Sequence, residues 1–295
     1  MTSDILIRKA EGWIHMIDFS KVQLFDGAMG TRMLKLGFPF RPMMEELNIT
    51  HPEIIRGIHK EYVDAGADFI TTATFGVNGY KYQDSIYSVK EIVEAAIDNA
   101  RINAKDAYIV LDIGPIGVLM EPYGEMSEEQ CYAYFKEIIE AGKSSVDAVL
   151  FETFMDIEEI KIGIRAAKEN SSLPVIATMT FNQNGKTMMG VSVEDMVEAF
   201  EELKVDALGV NCSWGPKELI PIVENLCSIS KTPILVQPNA GMPCTHEDGS
   251  LHYLVDASEF VDVAQQYIDY GVKIIGGCCG TDSETISQCS KRFKQ

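Results

Sequence analysis

Ile274-Ile275-Gly276-Gly277-Cys278-Cys279-Gly280-Thr281, near the C-terminus, and Leu208-Gly209-Val210-Asn211-Cys212-Ser213, earlier in the chain, share one pattern. Each is a short apolar run that breaks into cysteine at its end, which places three thiols where two strands leave a sheet. Zinc takes soft thiolates in a tetrahedron, and a catalytic site keeps one of its four positions open. Three cysteines therefore suit a catalytic centre, where four would suit a structural one. Taken singly, any of the seven cysteines is ordinary packing. The pair Cys278-Cys279 is different, because neighbours on a strand point to opposite faces; a strained vicinal disulfide is its alternative.

Working outward from these two segments, strand-like runs alternate with amphipathic helical segments from about residue 22 onward. The strands begin at Val22-Gln23-Leu24-Phe25, Asp68-Phe69-Ile70-Thr71, Ala107-Tyr108-Ile109-Val110-Leu111 and Ala148-Val149-Leu150-Phe151. They continue at Pro174-Val175-Ile176-Ala177-Thr178, Ala207-Leu208-Gly209-Val210, Pro233-Ile234-Leu235-Val236 and Val272-Lys273-Ile274-Ile275. Continuous apolar runs of this kind belong to parallel strands buried on both faces. Helix starts are marked by Thr50 with Glu53, Ser127 with Gln130, Asp156 with Glu159, Ser192 with Asp195 and Thr281 with Glu284. Gly66, Gly142 and Gly271 fall where helices should stop.

Eight such rounds with no linker between them predict a single (β/α)8 barrel over residues 21–295, with an open doubly wound sheet as the alternative. Residues 1–20, with Ile5, Ile7, Ile14 and Ile17, are expected to form a helix that plugs or flanks the barrel bottom. The connections Gly27 to Ile49 and Pro238 to Asp256 are too long for turns and are expected to be functional or mobile.

Composition narrows the function classes. The chain has 25 Lys and Arg against 44 Asp and Glu, a net charge of −19. Nucleic acid is excluded as a partner on this basis, since phosphate binding needs a basic footprint. No apolar run approaches the roughly 20 residues of a membrane span. Asp4, Arg8, Lys9, Glu11 and Asp18 interrupt the first 20 residues, which rules out a signal peptide's apolar core. An odd number of cysteines without such a signal points to the reducing cytoplasm.

In a barrel the strand ends share one face, where barrel enzymes do their chemistry. The eight ends carry Asp26-Gly27, Thr71-Thr72, Asp112, Glu152-Thr153, Thr180, Asn211-Cys212, Gln237-Pro238-Asn239 and Cys278-Cys279. Three thiolates around Zn2+ leave an excess of negative ligand charge, so a substrate thiol in the open position loses its proton yet stays electron-rich. The chemistry expected is attack by that sulfur on an electrophilic carbon. Asp26 and Glu152 are the candidates to grip a cationic amine. Asp26 could equally be a turn or capping carboxylate. Glu152 follows four apolar strand residues, a costly position unless it faces a polar cavity or a partner. Asp112 has the same placement and could serve structure. Arg32 and Arg41 read most simply as solvated, and Met43-Met44 falls in a presumed lid.

Six motifs, in order, resemble the homocysteine S-methyltransferase family: Leu24-Phe25-Asp26-Gly27-Ala28-Met29-Gly30-Thr31, Thr74-Phe75-Gly76, Phe151-Glu152-Thr153-Phe154, Gly209-Val210-Asn211-Cys212, Pro238-Asn239-Ala240-Gly241 and Gly276-Gly277-Cys278-Cys279-Gly280-Thr281. The likeness runs from about residue 20 to 285, and its nearest form is the homocysteine-binding module of cobalamin-dependent methionine synthase. It implies that Cys212, Cys278 and Cys279 hold Zn2+ and that homocysteine sulfur completes the tetrahedron. It further implies that Asp26 and Glu152 bind the amino group. Backbone around Gly27, with Thr71 and Thr72, would meet the carboxylate, Asn211 would stand with the substrate contacts, and Asn239 would approach the metal when substrate is absent. The chain departs from the family at Ala73, where Asn is common, and at Ile116, where Thr is common.

The function expected from this resemblance is methyl transfer to homocysteine, giving methionine, with methylcobalamin on a separate corrinoid protein as donor. The short stretch after Thr281 leaves no room for a corrinoid or folate domain within the sequence. Alternatives are a homocysteine-holding module that acts only with that partner, a transferase for another thiol or selenol, and use of betaine or S-methylmethionine. No added aromatic cage for a cationic donor is evident in the sequence.

Overall fold

The computed structural model describes residues 5–8, 14–245 and 251–294. Eight parallel strands form one sheet: β1 (Gln23–Leu24), β2 (Phe69–Thr71), β3 (Tyr108–Ile113), β4 (Ala148–Phe154), β5 (Val175–Met179), β6 (Ala207–Asn211), β7 (Ile234–Gln237) and β8 (Ile274–Ile275). Strands pair in sequence order from β2 to β8, and β8 pairs with β1. A parallel bridge between Phe25 and Phe69 closes the ring, so the architecture is the (β/α)8 barrel that the alternating pattern predicts.

Eight helices surround the sheet: α1 (Pro52–Ala65), α2 (Val89–Arg101), α3 (Glu128–Gly142), α4 (Ile157–Asn170), α5 (Val193–Glu202), α6 (Pro216–Ile229), α7 (Ala257–Tyr270) and α8 (Ser283–Phe293), with α8 packed on α1. Ser127, Asp156 and Ser192 cap α3, α4 and α5 as expected, and Gly66 and Gly271 end α1 and α7 in the left-handed conformation. Two expected caps are displaced. His51 precedes α1, whose Pro52 needs no hydrogen-bonded N–H, and Asp282 rather than Thr281 caps α8. Thr281 is occupied at the site, where its hydroxyl donates to the Cys278 carbonyl at 2.7 Å.

Side-chain alternation sorts each strand between two cores. Ile109, Leu111, Val149 and Phe151 pack outward against the helices. Val110, Ala148, Leu150, Ile176, Leu235 and Ile274 point inward and fill the barrel with Phe25 and Phe69, whose rings stack 4.5 Å apart. The inward positions one step further along are Thr71, Asp112, Glu152, Thr178, Asn211, Gln237 and, past β8, Cys278. The period that builds the dry core thus delivers a polar layer at the C-terminal rim.

The opposite end is sealed. Ile17 and Phe19 are buried against the inward-facing core. The expected N-terminal helix is corrected here: Ile5–Arg8 and Ile14–Ile17 form an antiparallel hairpin, while residues 1–4 and 9–13 lie outside the described residues. β-Branched residues at every other position on Ile5 and Ile7 suit a strand better than a helix face. Asp68, Asp147 and Asp206, each directly before an even-numbered strand, accept from the N–H groups of Leu24, Ile109 and Val175 at 2.7–2.8 Å.

Both long connections carry structure. The β1–α1 connection holds helices at Gly30–Lys35 and Leu47–Thr50, and the β7–α7 connection holds an antiparallel hairpin of Pro243–Thr245 with Leu251–Tyr253. Among the described residues no helix is long and apolar enough to cross a membrane.

Candidate metal centre and substrate cavity

The β6 and β8 ends bring Cys212, Cys278 and Cys279 together, their sulfurs all within 4.8 Å of one another. Their backbones are fixed by the end of β7: Cys212 N donates to Gln237 O at 3.1 Å, Cys278 N to Pro238 O at 2.8 Å and Ala240 N to Cys279 O at 2.9 Å. Sulfurs about 2.3 Å from a tetrahedral zinc lie about 3.8 Å from one another. The Cys212 and Cys279 sulfurs are 3.7 Å apart, so the donor set fits such an ion in spacing and in softness.

Without a cation the three thiols share charge unequally. Hydrogen bonds from Cys212 and Cys278 pull the Cys279 thiol down to about 3. The Cys278 thiol is pushed well above its usual range by its bonds to Cys212 and Cys279 and then by burial. At Cys212 the bond to Cys278 acts downward, but the bond to Cys279, burial and the nearby charges outweigh it. A coordinating dication removes this asymmetry by deprotonating the ligands outright.

The triad opens into a cavity of about 510 Å3 that is also lined by Asp26, Gly27, Thr71, Thr72, Ala73, Asp112 and Glu152. Asp26 is 2% exposed and is held by Thr71, whose N–H donates to Oδ2 at 2.8 Å and whose hydroxyl lies 3.1 Å from both carboxylate oxygens. Thr72 donates or accepts at Thr74 Oγ1 and receives Asp112 N–H at 3.0 Å. Both threonine hydroxyls are therefore already engaged in supporting the rim. Gly27 is sterically required, since a Cβ there would lie 2.9 Å from Thr281 Oγ1 and from the Tyr62 ring.

Burial pushes Asp26 up to about 7 despite its bonds from Thr71. Burial, then the charges of Asp26 and Cys279, push Glu152 up to about 8. Asp112 is driven well above the usual carboxylate range by burial and then by Glu152, Asp26 and Glu45, and its Oδ1 has no hydrogen-bond partner. Three neighbouring carboxyl groups short of positive charge form a receptor for a cation.

Asn211 and Asn239 do not line the cavity. Asn211 is fully buried behind it and donates to Glu152 Oε2 at 3.2 Å and to Thr153 Oγ1 at 2.7 Å, while its carbonyl oxygen accepts from Thr153 N–H at 2.8 Å. It joins two strained residues, Thr153 at φ 66° and Cys212 at φ 47°. Asn239 is 6% exposed with its side-chain oxygen unpartnered.

Sequence inspection missed several groups at the cavity. Phe40, Lys81 and Tyr82 line it beside Phe75 of the Thr74-Phe75-Gly76 motif, and Glu45 accepts from Gly76 N–H at 2.8 Å and from the Tyr82 hydroxyl. Asn48 ties the first loop to the Ala73 carbonyl at 2.8 Å. These residues sit in connections whose loops and short helical turns are too brief to carry a periodic signal. Arg41, expected to be solvated, lines the mouth, and Arg32 pairs with Glu61.

The homocysteine S-methyltransferase family profile matches residues 23–293. Methionine synthases of Mycobacterium leprae (strain TN) and Mycobacterium tuberculosis (strain ATCC 25618 / H37Rv) are each 29% identical over 91% of this chain. The match covers 24% of each, so the chain spans about a quarter of their length. The metallated form of the homocysteine methyltransferase MmuM from Escherichia coli superposes with a TM-score of 0.77 over 92% of this chain and 96% of that one, at 20% identity. Its apo form gives 0.72 at 22% identity over the same shares. Identities this low speak to the fold. With the family profile spanning the whole barrel, the chain belongs to the homocysteine S-methyltransferase family.

Proposed function

We propose that the protein methylates the thiol of homocysteine to give methionine, with Zn2+ held by Cys212, Cys278 and Cys279. The observation that carries this reading is one cavity shared by a soft three-sulfur site and the carboxylates Asp26 and Glu152. An α-amino thiol engages both. When bound, Zn2+ supplies a soft Lewis acid that lowers the pKa of a fourth sulfur. The chain's own residues do the rest. Asp26, oriented by Thr71, and Glu152, oriented by Asn211, hold the ammonium group and fix the direction of the sulfur. Ammonium binding keeps both carboxylates ionised against their burial. Backbone at Gly27 offers the carboxylate contact, and Asn239, whose side-chain oxygen has no partner and whose neighbour Pro238 accepts from Cys278 N–H, is proposed to serve the metal before substrate arrives.

The proposed donor is methylcobalamin carried by a corrinoid protein. The methionine synthase relatives support it, and so does the rim, where Leu119, Tyr123, Met188, Met242 and Leu254 are exposed on the loops around the mouth. Phe40, Phe75 and Tyr82 beside the carboxylates favour a second reading, a cationic donor such as S-methylmethionine or betaine. Ile116 is fully buried and does not line the cavity, so that departure leaves the substrate alone. Ala73 does line it, which keeps another thiol or selenol in play as acceptor. All seven cysteines are unpaired, in keeping with a cytoplasmic setting.

The test is zinc-loaded protein with homocysteine against methylcobalamin, free or protein-bound, and against S-methylmethionine and betaine. Methionine formed from methylcobalamin alone supports the corrinoid donor. Methionine formed only from a cationic donor overturns that choice, and no methionine from any donor overturns the activity.

A further inference from the structure

We propose that Tyr253 is a positioning residue for the metal site, its hydroxyl donating a hydrogen bond to the Cys279 sulfur and so coupling the β7–α7 hairpin to the thiolate set. The inference rests on the zinc reading above. Tyr253 ends the hairpin strand Leu251–Tyr253 and pairs with Pro243. Its ring lies on Gly280: a Cβ there would sit 2.2 Å from the ring Cγ and 2.5 Å from Cδ1. Gly280 directly follows Cys279 and has φ +85°, so a residue with no side chain makes room for the ring and accepts the left-handed turn. This packing sets the Tyr253 side chain against the residue that directly follows Cys279.

The hairpin base is tied to the same cysteine. Val255 N donates to Ala240 O at 3.0 Å, and Ala240 N donates to Cys279 O at 2.9 Å. Ala240 thus holds Cys279 at its carbonyl, and the proposed Tyr253 bond adds a hold at its sulfur. Three thiolates leave a surplus of negative charge beside a dication. An O–H donor spreads part of it without adding a formal charge, and partners of this kind orient ligands and tune the metal.

The experiment replaces zinc with Co2+ and reads sulfur-to-metal charge-transfer absorption in wild type, Tyr253→Phe and Gly280→Ala, with Tyr123→Phe on the exposed rim as control. Zinc affinity is measured in parallel by chelator competition. Loss of the donor should shift the band to lower energy and weaken zinc binding about 10-fold. Gly280→Ala, which displaces the ring, should reproduce the band shift while Tyr253 is still present. A Tyr253→Phe band and zinc affinity identical to wild type overturn the inference alone, as does an equal shift in Tyr123→Phe. A wild-type protein with no sulfur-to-cobalt band overturns the metal reading and this inference with it.

Discussion

The two ends of the barrel use acidic residues in opposite ways. At the N-terminal end Asp68, Asp147 and Asp206 each accept a backbone N–H from the neighbouring strand, and Asp68 also pairs with Lys294 at 2.6 Å. At the C-terminal end Asp26, Asp112 and Glu152 crowd one cavity, with an Asp112 oxygen unpartnered. Apolar residues divide in the same sense. Of the large apolar side chains exposed among the described residues, only Ile102, Ile229 and Tyr270 lie at the sealed end, the others being on loops at the open one. One end satisfies these three carboxylates internally and closes, whereas the other leaves charge and apolar surface for something that binds. Stability and function are therefore expected to separate along the barrel axis.

The sharpest break is a pair of substitutions. Cys278→Ser should abolish metal retention and lower methyl transfer about 1,000-fold, while leaving the unfolding midpoint of metal-free protein nearly unchanged. Phe69→Ala, in the aromatic stack, should cost about 3–5 kcal/mol in denaturant unfolding while folded molecules keep their turnover. Full zinc occupancy in Cys278→Ser, or lost turnover in folded Phe69→Ala, would dissolve the separation.

Glu152→Gln should weaken homocysteine binding by about 1.5–3 kcal/mol in calorimetry and leave metal content intact. The same variant should be more stable than substrate-free wild type by about 1–2 kcal/mol at pH 8, since it removes a charge held against burial. At the sealed end Asp147→Ala should act in reverse. It strips the acceptor from Ile109 N–H and should cost about 1–2 kcal/mol of stability with no change in homocysteine affinity.

A further expectation concerns the pH dependence. Glu152 and Asp26 titrate near 8 and 7 in the free protein, against about 4 when unfolded. Between those values the native state holds protons that the unfolded state has released. Stability should therefore fall as pH rises from about 4 to about 8, and the slope should flatten in Glu152→Gln. A stability that rises across that window in wild type would contradict the burial assigned to these carboxylates.

Much of this was legible in the sequence because continuous apolar runs mark strands buried on both faces, and a polar residue that breaks such a run marks its end. Asp112 after Ala107 to Leu111, and Glu152 after Ala148 to Phe151, are marked in this way. Cysteines at the ends of β6 and β8 are marked in the same way. What escaped depends on contacts between loops. Glu45 and Asn48 from the β1–α1 connection and Tyr82 from the β2–α2 connection meet near β2's end, and Tyr253 packs on Gly280, next to Cys279, from a hairpin whose strands are three residues each. The N-terminal segment was misjudged because a few isoleucines at irregular spacing fit a helix face or a hairpin equally well, and strand pairing decided between them. Thr71, Thr72 and Asn211, expected among the substrate contacts, stand at the strand ends in hydrogen bonds to Asp26, Asp112 and Glu152 that the sequence does not reveal.

The central claim is that Cys212, Cys278 and Cys279 hold a metal whose open position takes the substrate sulfur. X-ray absorption at the zinc edge, with and without homocysteine, tests it most directly. The count should be three sulfurs at about 2.3 Å plus one lighter atom, rising to four sulfurs when homocysteine is added. A zinc ion with fewer than three sulfur neighbours, or a count that homocysteine leaves unchanged, would contradict it.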